Sequence, residues 1–171
     1  MVKKRKSFTY TAPDGSIWDS AFEFKVFTAY QQAGYPIYRC GDKGQDFQLQ
    51  YTQKMKSCFC KECGGEEIYS RHFYTPDFYL LIGNELVFIE AKGYMRAQRR
   101  SLMRAFCASR NDVKLLFIAQ RDYKVTKKLT LTEWACKFLK CESFVFSPPK
   151  PFDPEEFKSK YLSNIRKPKN V

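Results

Sequence analysis

The chain has 171 residues with a formal net charge of +12, a hydrophobic fraction of 44% and an aromatic fraction of 17%. This length predicts one domain with room for a small insertion, the composition excludes a globally disordered chain, and the positive charge favours nucleic acid as partner. No apolar run could span a bilayer and none follows the basic start "MVKKRK", so we expect a cytoplasmic protein rather than a secreted or membrane protein.

The first fifty residues predict an arm, a helix and short strands. Residues 1–15 are basic and then turn-like at "APDG", which indicates a flexible arm or an edge strand. Residues 16–33 predict a helix, since Gly34 is a suitable C-cap and Pro36 prevents continuation. Its apolar stripe, at three- and four-residue spacing, is predicted to be Ile17, Ala21, Phe24 and Phe27. "PIYRC" and "FQLQY" are strand candidates.

Two apolar runs then predict a β-hairpin. They are "FYTPDFYLLI" and "ELVFIEA", which are rich in aromatic and β-branched residues. Gly83-Asn84 between them is a two-residue turn signal.

Helices and strands alternate after the hairpin. Residues 94–110 predict a helix with arginines on one side and with Leu102, Ala105 and Phe106 on its buried side. "VKLLFIAQ" predicts a buried strand, "LTEWACKFLK" a helix capped by Thr130 or Thr132, and "ESFVF" a last strand. Residues 147–171 predict a Pro-punctuated basic tail. This order indicates an α/β fold with a central mixed sheet flanked by helices.

Three polar residues interrupt the apolar hairpin. Asp77 lies early on the first strand and Glu90 late on the second, so antiparallel pairing brings them together, and Lys92 projects from the same face as Glu90. Two carboxylates, with a backbone carbonyl such as that of Ala91, predict an all-oxygen site for Mg²⁺. Such a site can activate water against a phosphodiester, and a lysine can stabilise the transition state. Each residue alone could be an ordinary strand-end residue, but their combination favours a nuclease.

Three cysteines lie in a stretch of six residues. This stretch is part of a polar segment, 40–66, that we interpret as an insertion. "CFCKECGG" contains Cys58, Cys60 and Cys63, of which Cys60 and Cys63, followed by Gly64, have zinc-knuckle spacing, and this predicts a structural Zn²⁺. Cys40 in "RCGD" is the first candidate for the fourth ligand and His72 the second, while a loop with free thiols is the alternative. The remaining cysteines lie in apolar contexts that predict core positions: Cys107, Cys136 and Cys141.

Four clusters make the chain basic: "MVKKRK", "YMRAQRR", "RDYKVTKK" and "IRKPKN". Contacts of basic residues with phosphates position a protein on DNA without reading its sequence. The second cluster begins just after Lys92, beside the predicted metal site. A solvated helix face is the alternative for some of these residues. Those predicted to contact DNA are Arg96, Arg99, Arg100, Arg121 and Lys124.

The hairpin residues carry a resemblance to known nucleases. "TPD", twelve residues and then "EAK" resembles the PD-(D/E)XK nuclease motif. Over residues 16–146, outside the insertion, the chain is more closely similar to the phage endonuclease I family of Holliday-junction resolvases. The similar segments are "WDSAFEFKVF", "HFYTPDFYLL", "VFIEAKGYM", "LLFIAQRDYK" and "TLTEWACKFL".

This resemblance implies a restriction-endonuclease-like sheet and a homodimer that cleaves four-way DNA junctions. It also implies a bacteriophage protein that acts in the cytoplasm of the host cell. It implies that Glu23 is a metal-linked acid, that Asp77 and Glu90 bind Mg²⁺ or Mn²⁺, and that Lys92 is catalytic. The family can also carry a histidine before the motif, which would place His72 near the site. Two features depart from the family: Tyr38 replaces an acid, and the Cys-rich insertion occupies the region through which the family's subunits exchange a strand.

Two other interpretations remain open at this stage. The chain could be a restriction-like or transposase-type nuclease, since these share the same core motif. It could also be a zinc-stabilised DNA-binding module that does not cleave.

Overall fold

The computed structural model describes residues 9–41, 47–54, 69–82 and 84–146. Its elements in chain order are β1 (Tyr10–Thr11), β2 (Ile17–Trp18), α1 (Ala21–Gln32), β3 (Ile37–Arg39), β4 (Leu49–Lys54), β5 (Tyr69–Tyr74), β6 (Phe78–Ile82), β7 (Glu85–Lys92), α2 (Ala97–Ser109), β8 (Lys114–Ala119), α3 (Leu131–Leu139) and β9 (Glu142–Val145). The predicted basic arm is described only from residue 9, and the tail at 147–171 lies outside the described residues.

A five-stranded mixed sheet forms the centre of the fold, in the order β3-β6-β7-β8-β9. The β3, β6 and β7 strands pair antiparallel, while β7, β8 and β9 pair parallel. Ile82 pairs with Glu85, which confirms the predicted hairpin with its two-residue connection. The predicted α/β class with a central mixed sheet is therefore confirmed.

Helices cover both faces of this sheet. On one face α1 packs on alternate residues of the central strands, such as Ile89 and Ile118. On the other face α2 and α3 pack on the intervening residues, such as Phe88 and Phe117. Because successive side chains of a strand point to opposite faces, the apolar residues in the middle of β7 and β8 supply both cores.

Helix α1 is shorter than predicted and buries a different stripe. Ser20 caps it by accepting the Glu23 backbone N–H at 3.2 Å, and Ile17 lies in a strand that pairs with β1. The predicted stripe is therefore confirmed only in part: Phe24 and Phe27 are half-buried against the core, whereas Ile17 and Ala21 are exposed. The buried residues of α1 are Phe22, Val26 and Tyr30. Its end was predicted correctly: Gly34 has a φ of +83°, the left-handed conformation that favours glycine after a helix.

The later helices agree more closely with the sequence. Thr130 caps α3 in a capping box with Glu133, which decides between the two predicted caps. In α2 the fully buried residues are Met103 and Phe106, whereas the predicted Leu102 is exposed. None of the described helices is long and apolar enough to cross a membrane.

The predicted first strand of the hairpin is divided in two. Pro76 has no N–H to donate to a ladder, and the chain changes partner there. Before it, β5 pairs with β4 in a separate ribbon, and after it β6 pairs with β7. Tyr51 of β4 is buried in the core on the α2 face. The described part of the Cys-rich segment is thus an ordered strand packed on the domain.

Adjacent leucines of β6 test this packing. Leu80 is 2% exposed and Leu81 is 50% exposed. We expect Leu80→Ala to lower the free energy of unfolding by about 2–5 kcal/mol because it leaves a cavity in the core. Leu81→Ala, the matched control, should change it by about 0.5 kcal/mol or less. Urea unfolding measures both, and equal losses would contradict the described orientation of β6.

Candidate active site

The hairpin brings Asp77, Glu90 and Lys92 together at one end of β6 and β7. The backbone N–H of Asp77 donates to the Ile89 carbonyl at 3.1 Å, which extends the ladder by one residue beyond β6. Glu90 and Lys92 lie two apart near the end of β7 and share a face. The predicted convergence of these three residues is present.

The Lys92 ammonium links the two carboxylates. Its Nζ lies 2.8 Å from Asp77 Oδ2 and 3.1 Å from Glu90 Oε1. Asp77 Oδ2 also accepts the backbone N–H of Ala91 at 2.7 Å. The Asp77 carboxylate is therefore held by one backbone and one side-chain donor, so its orientation is set by the sheet.

Tyr74 and Arg99 complete the surroundings of Glu90. The sequence did not predict a role for Tyr74 at the site, and it predicted that Arg99 contacts DNA. Glu90 is 0% exposed, and the Tyr74 hydroxyl donates to its Oε2. Arg99, predicted to contact DNA, places Nη2 at 3.5 Å from Glu90 Oε1 and its guanidinium over the Tyr74 ring at 5.4 Å. A buried carboxylate needs such donors, since an unpaired buried charge is very costly.

The electrostatics show crowded negative charge. Burial and the neighbouring Glu90 raise the pKa of Asp77 to about 7. Burial opposes the charge of Lys92, yet Glu90 and Asp77 together raise the pKa of this lysine. Burial and Glu90 also raise the pKa of Tyr74, which keeps its hydroxyl protonated as a donor. The cluster therefore holds the Asp77 carboxyl with a pKa above its ordinary value.

Glu23 comes from the opposite face of the sheet. It lies half-buried in the first turn of α1, and burial raises its pKa while Lys92 lowers it. Within the described ranges, no three His, Cys, Asp or Glu side chains form a group that could hold a metal ion. Glu23 thus influences the site through space, and its predicted role as a ligand stays a prediction.

The oxygens of Asp77 and Glu90 fit a hard divalent cation. Both carboxylates contact the same ammonium, so a small cation near that position would meet oxygens from each. Mg²⁺ binds through one or two carboxylates and keeps several waters, so two protein ligands are sufficient.

The candidate zinc ligands are only partly described. Cys58, Cys60 and Cys63 lie outside the described residues. Cys40 is buried, its backbone N–H donates to the Asp77 carbonyl, and burial raises the pKa of its thiol to about 12. The ring of His72 is engaged by Ser70 Oγ at 2.7 Å and by stacking on a tyrosine. The zinc site stays a prediction.

The other cysteines differ in exposure. Cys141 is buried and Cys107 is half-buried, but Cys136 is exposed, with its sulfur 3.0 Å from Ser143 Oγ. The predicted core position was therefore wrong for Cys136, because that side of the amphipathic helix α3 faces solvent.

The predicted DNA-contacting residues have different environments. Arg100 donates to the carbonyl oxygens of Met95 at 2.8 Å and Val125 at 3.3 Å. It therefore links the loop after β7 to the loop after β8. The exposed cations among the predicted set are Arg96, Arg99, Arg121 and Lys124, and of these Arg99 also pairs with Glu90.

No family model matches this chain, and neither does any curated protein or solved structure. The residues of the site and their geometry therefore carry the functional interpretation.

The ion-pair cluster makes a stability prediction in metal-free buffer. Lys92→Met leaves the buried Glu90 and the partly buried Asp77 without their shared cation, so the free energy of unfolding should fall by about 3 kcal/mol. Combining it with Asp77→Asn should cost less than the two single changes summed, by about 1–3 kcal/mol. The control is Lys114→Met, which breaks a partly exposed ion pair with Glu85 and should cost about 1 kcal/mol or less. Additive losses would show that Lys92 and Asp77 are uncoupled.

Proposed function

We propose that this chain is a metal-dependent DNA endonuclease of the PD-(D/E)XK kind. The observation that carries this proposal is the contact of Lys92 Nζ with Asp77 Oδ2 at 2.8 Å and with Glu90 Oε1 at 3.1 Å. Two carboxylates and a lysine, oriented by a hairpin of a mixed sheet, are the groups that phosphodiester hydrolysis requires.

Each residue has a distinct role in this proposal. Asp77 and Glu90 hold Mg²⁺ or Mn²⁺, which when bound polarises the phosphodiester and lowers the pKa of water. Lys92, once the carboxylates bind the metal, orients the attacking water and stabilises charge on the transition state. Tyr74 and Arg99 fix the orientation of Glu90. Glu23 adds negative charge that favours the cation.

Branched DNA is the proposed substrate, and a homodimer the proposed assembly. The net charge of +12 suits a polyanion. The exposed Arg96, Arg121 and Lys124 follow the carboxyl ends of β7 and β8, beside Lys92. Contacts of this kind hold a substrate by its shape rather than its sequence. Two copies, as the family resemblance implies, would supply one cut to each of two strands.

A second candidate function has one observation in its favour. Lys92 and Arg99 already balance Asp77 and Glu90 within the protein. A closed ion-pair network of this kind could serve stability alone, in a DNA-binding module that does not cleave. Cleavage assays separate this function from the endonuclease.

The deciding experiment compares a four-way DNA junction with a matched linear duplex, each with Mg²⁺ and with EDTA. We expect paired nicks near the crossover only with Mg²⁺ and only on the junction. Asp77→Asn should lower the rate by about 1,000-fold or more, since a metal ligand is lost, while binding to the junction persists. Asp112→Asn, which alters an exposed ion pair with Arg110, is the control and should cleave normally.

Other outcomes distinguish the remaining functions. Equal cutting of the duplex would favour a restriction-like or transposase-type nuclease. Junction binding without cleavage would favour the binding module. Cleavage that survives both EDTA and Asp77→Asn would rule out the proposed site.

The salt dependence of junction binding tests the proposed phosphate contacts. Each of Arg96→Ala, Arg121→Ala and Lys124→Ala should reduce the slope of log K against log [salt] by about 1, because one fewer phosphate is neutralised. The control is Arg110→Ala, since this guanidinium is paired with Asp112. Its slope should match that of the unaltered chain. Unchanged slopes in all four variants would place the DNA elsewhere.

A further inference from the structure

Two loops meet beside the candidate site because β7 and β8 are parallel. Their carboxyl ends lie at the same edge of the sheet, and the backbone N–H of Gln120 donates to the Lys92 carbonyl at 3.0 Å. The approach is so close that a Cβ on Gly93 would lie 2.6 Å from the Gln120 side-chain oxygen. The residues that follow each strand, Tyr94 and Tyr123, are thereby brought together.

Tyr94 and Tyr123 form a supported aromatic surface. Their rings stack with centroids 5.6 Å apart and planes at 17°. Tyr123 is half-buried, and its hydroxyl accepts the backbone N–H of Met95 at 2.7 Å. Tyr94 is 68% exposed. One ring is thus anchored in the protein, while the other presents most of its surface to solvent two residues after Lys92.

The charge around this tyrosine pair is positive. Exposed cations of the two loops are Arg96, Arg121, Lys124, Lys127 and Lys128. Asp122 is the acid of the loop after β8. Its carboxylate accepts hydrogen bonds from the Thr132 backbone N–H at 3.1 Å and from the Thr132 hydroxyl at 2.8 Å. The carboxylate is thereby directed to the start of α3, so the loop cations dominate the charge beside the rings.

A stability role does not account for Tyr94. An aromatic side chain stabilises a fold in proportion to the surface that it buries, and Tyr94 buries only about a third of its own. An exposed ring with cations beside it is instead the arrangement with which proteins bind single-stranded nucleic acid. There the ring stacks on a base and the cations contact the backbone.

We propose that Tyr94, supported by Tyr123, is the stacking platform for an unstacked base next to the phosphate at Asp77 and Glu90. This inference rests on the proposed function and specifies its substrate class. A base inside a duplex is stacked on both faces, so only an unstacked base, as at a branch point, offers a face to Tyr94. The platform would then select branched DNA over linear duplex by stacking.

The test uses 2-aminopurine, a base whose fluorescence is quenched by stacking. One probe is a four-way junction with 2-aminopurine at the crossover, and the other is a linear duplex with it in the interior. With EDTA present, the unaltered chain should alter the fluorescence of the junction. Tyr94→Ala should abolish this change and weaken junction binding by about 5- to 150-fold, the range of one lost base stack. Duplex binding should stay within about twofold.

Two variants control for other effects. Tyr94→Trp keeps an aromatic ring and should retain both the fluorescence change and the affinity. Phe73→Ala removes a similarly exposed aromatic ring, 63% exposed on β5, and should alter neither. If Tyr94→Ala leaves the fluorescence and the affinity unchanged, or weakens junction and duplex binding equally, the platform is refuted.

The platform and the proposed nuclease can fail separately. Loss of the fluorescence change in Tyr94→Ala, in a chain that does not cleave with Mg²⁺, would support the platform and refute the endonuclease. Mg²⁺-dependent cleavage that Tyr94→Ala does not alter, with unchanged junction fluorescence, would support the endonuclease and refute the platform. A chain that binds no DNA would refute both.

Discussion

The ammonium of Lys92 between Asp77 and Glu90 is the interaction on which the rest of the site depends. Glu90 is 0% exposed, and an ionised carboxylate in such a position requires donors that replace water. Those donors come from β5, β7 and α2, through Tyr74, Lys92 and Arg99. The ribbon, the central sheet and the helix must therefore assemble around one charge. The burial of an ionised carboxylate among other charged groups at the end of a hairpin is typical of a functional site.

The mixed topology explains why the candidate site and the basic loops lie at one edge of the central sheet. The antiparallel pairing of β6 with β7 places Asp77 beside Glu90. The parallel pairing of β7 with β8 places the loop after β8 beside Lys92. The exposed Tyr94 ring and the exposed cations of these loops thereby lie on the same edge of the sheet as the carboxylates. A sheet with only one kind of pairing would not bring all of these groups together.

Patterns of neighbouring residues in the sequence predicted those elements that short-range interactions determine. Alternation and a two-residue turn predict the hairpin, and hence the meeting of Asp77 with Glu90. They predicted the stripe of α1 only in part, because aromatic residues on several sides of this helix leave its most buried face to be chosen by the sheet. Nor did they predict Tyr74 or Arg99 as partners of Glu90, because these contacts depend on how β5 and α2 pack. Cysteine spacing predicts a zinc site but does not identify its fourth ligand.

The charge balance of the site indicates why a divalent cation would be attracted there. Three carboxylates, from Glu23, Asp77 and Glu90, act on two cations, Lys92 and Arg99, and burial with mutual repulsion raises the pKa of Asp77 to about 7. Protonation is one way to relieve this repulsion, and a metal ion is another. Asp77 and Glu90 are the residues that would hold such a cation. The Lys92 ammonium, which now pairs with both of them, would then be available to contact a phosphate.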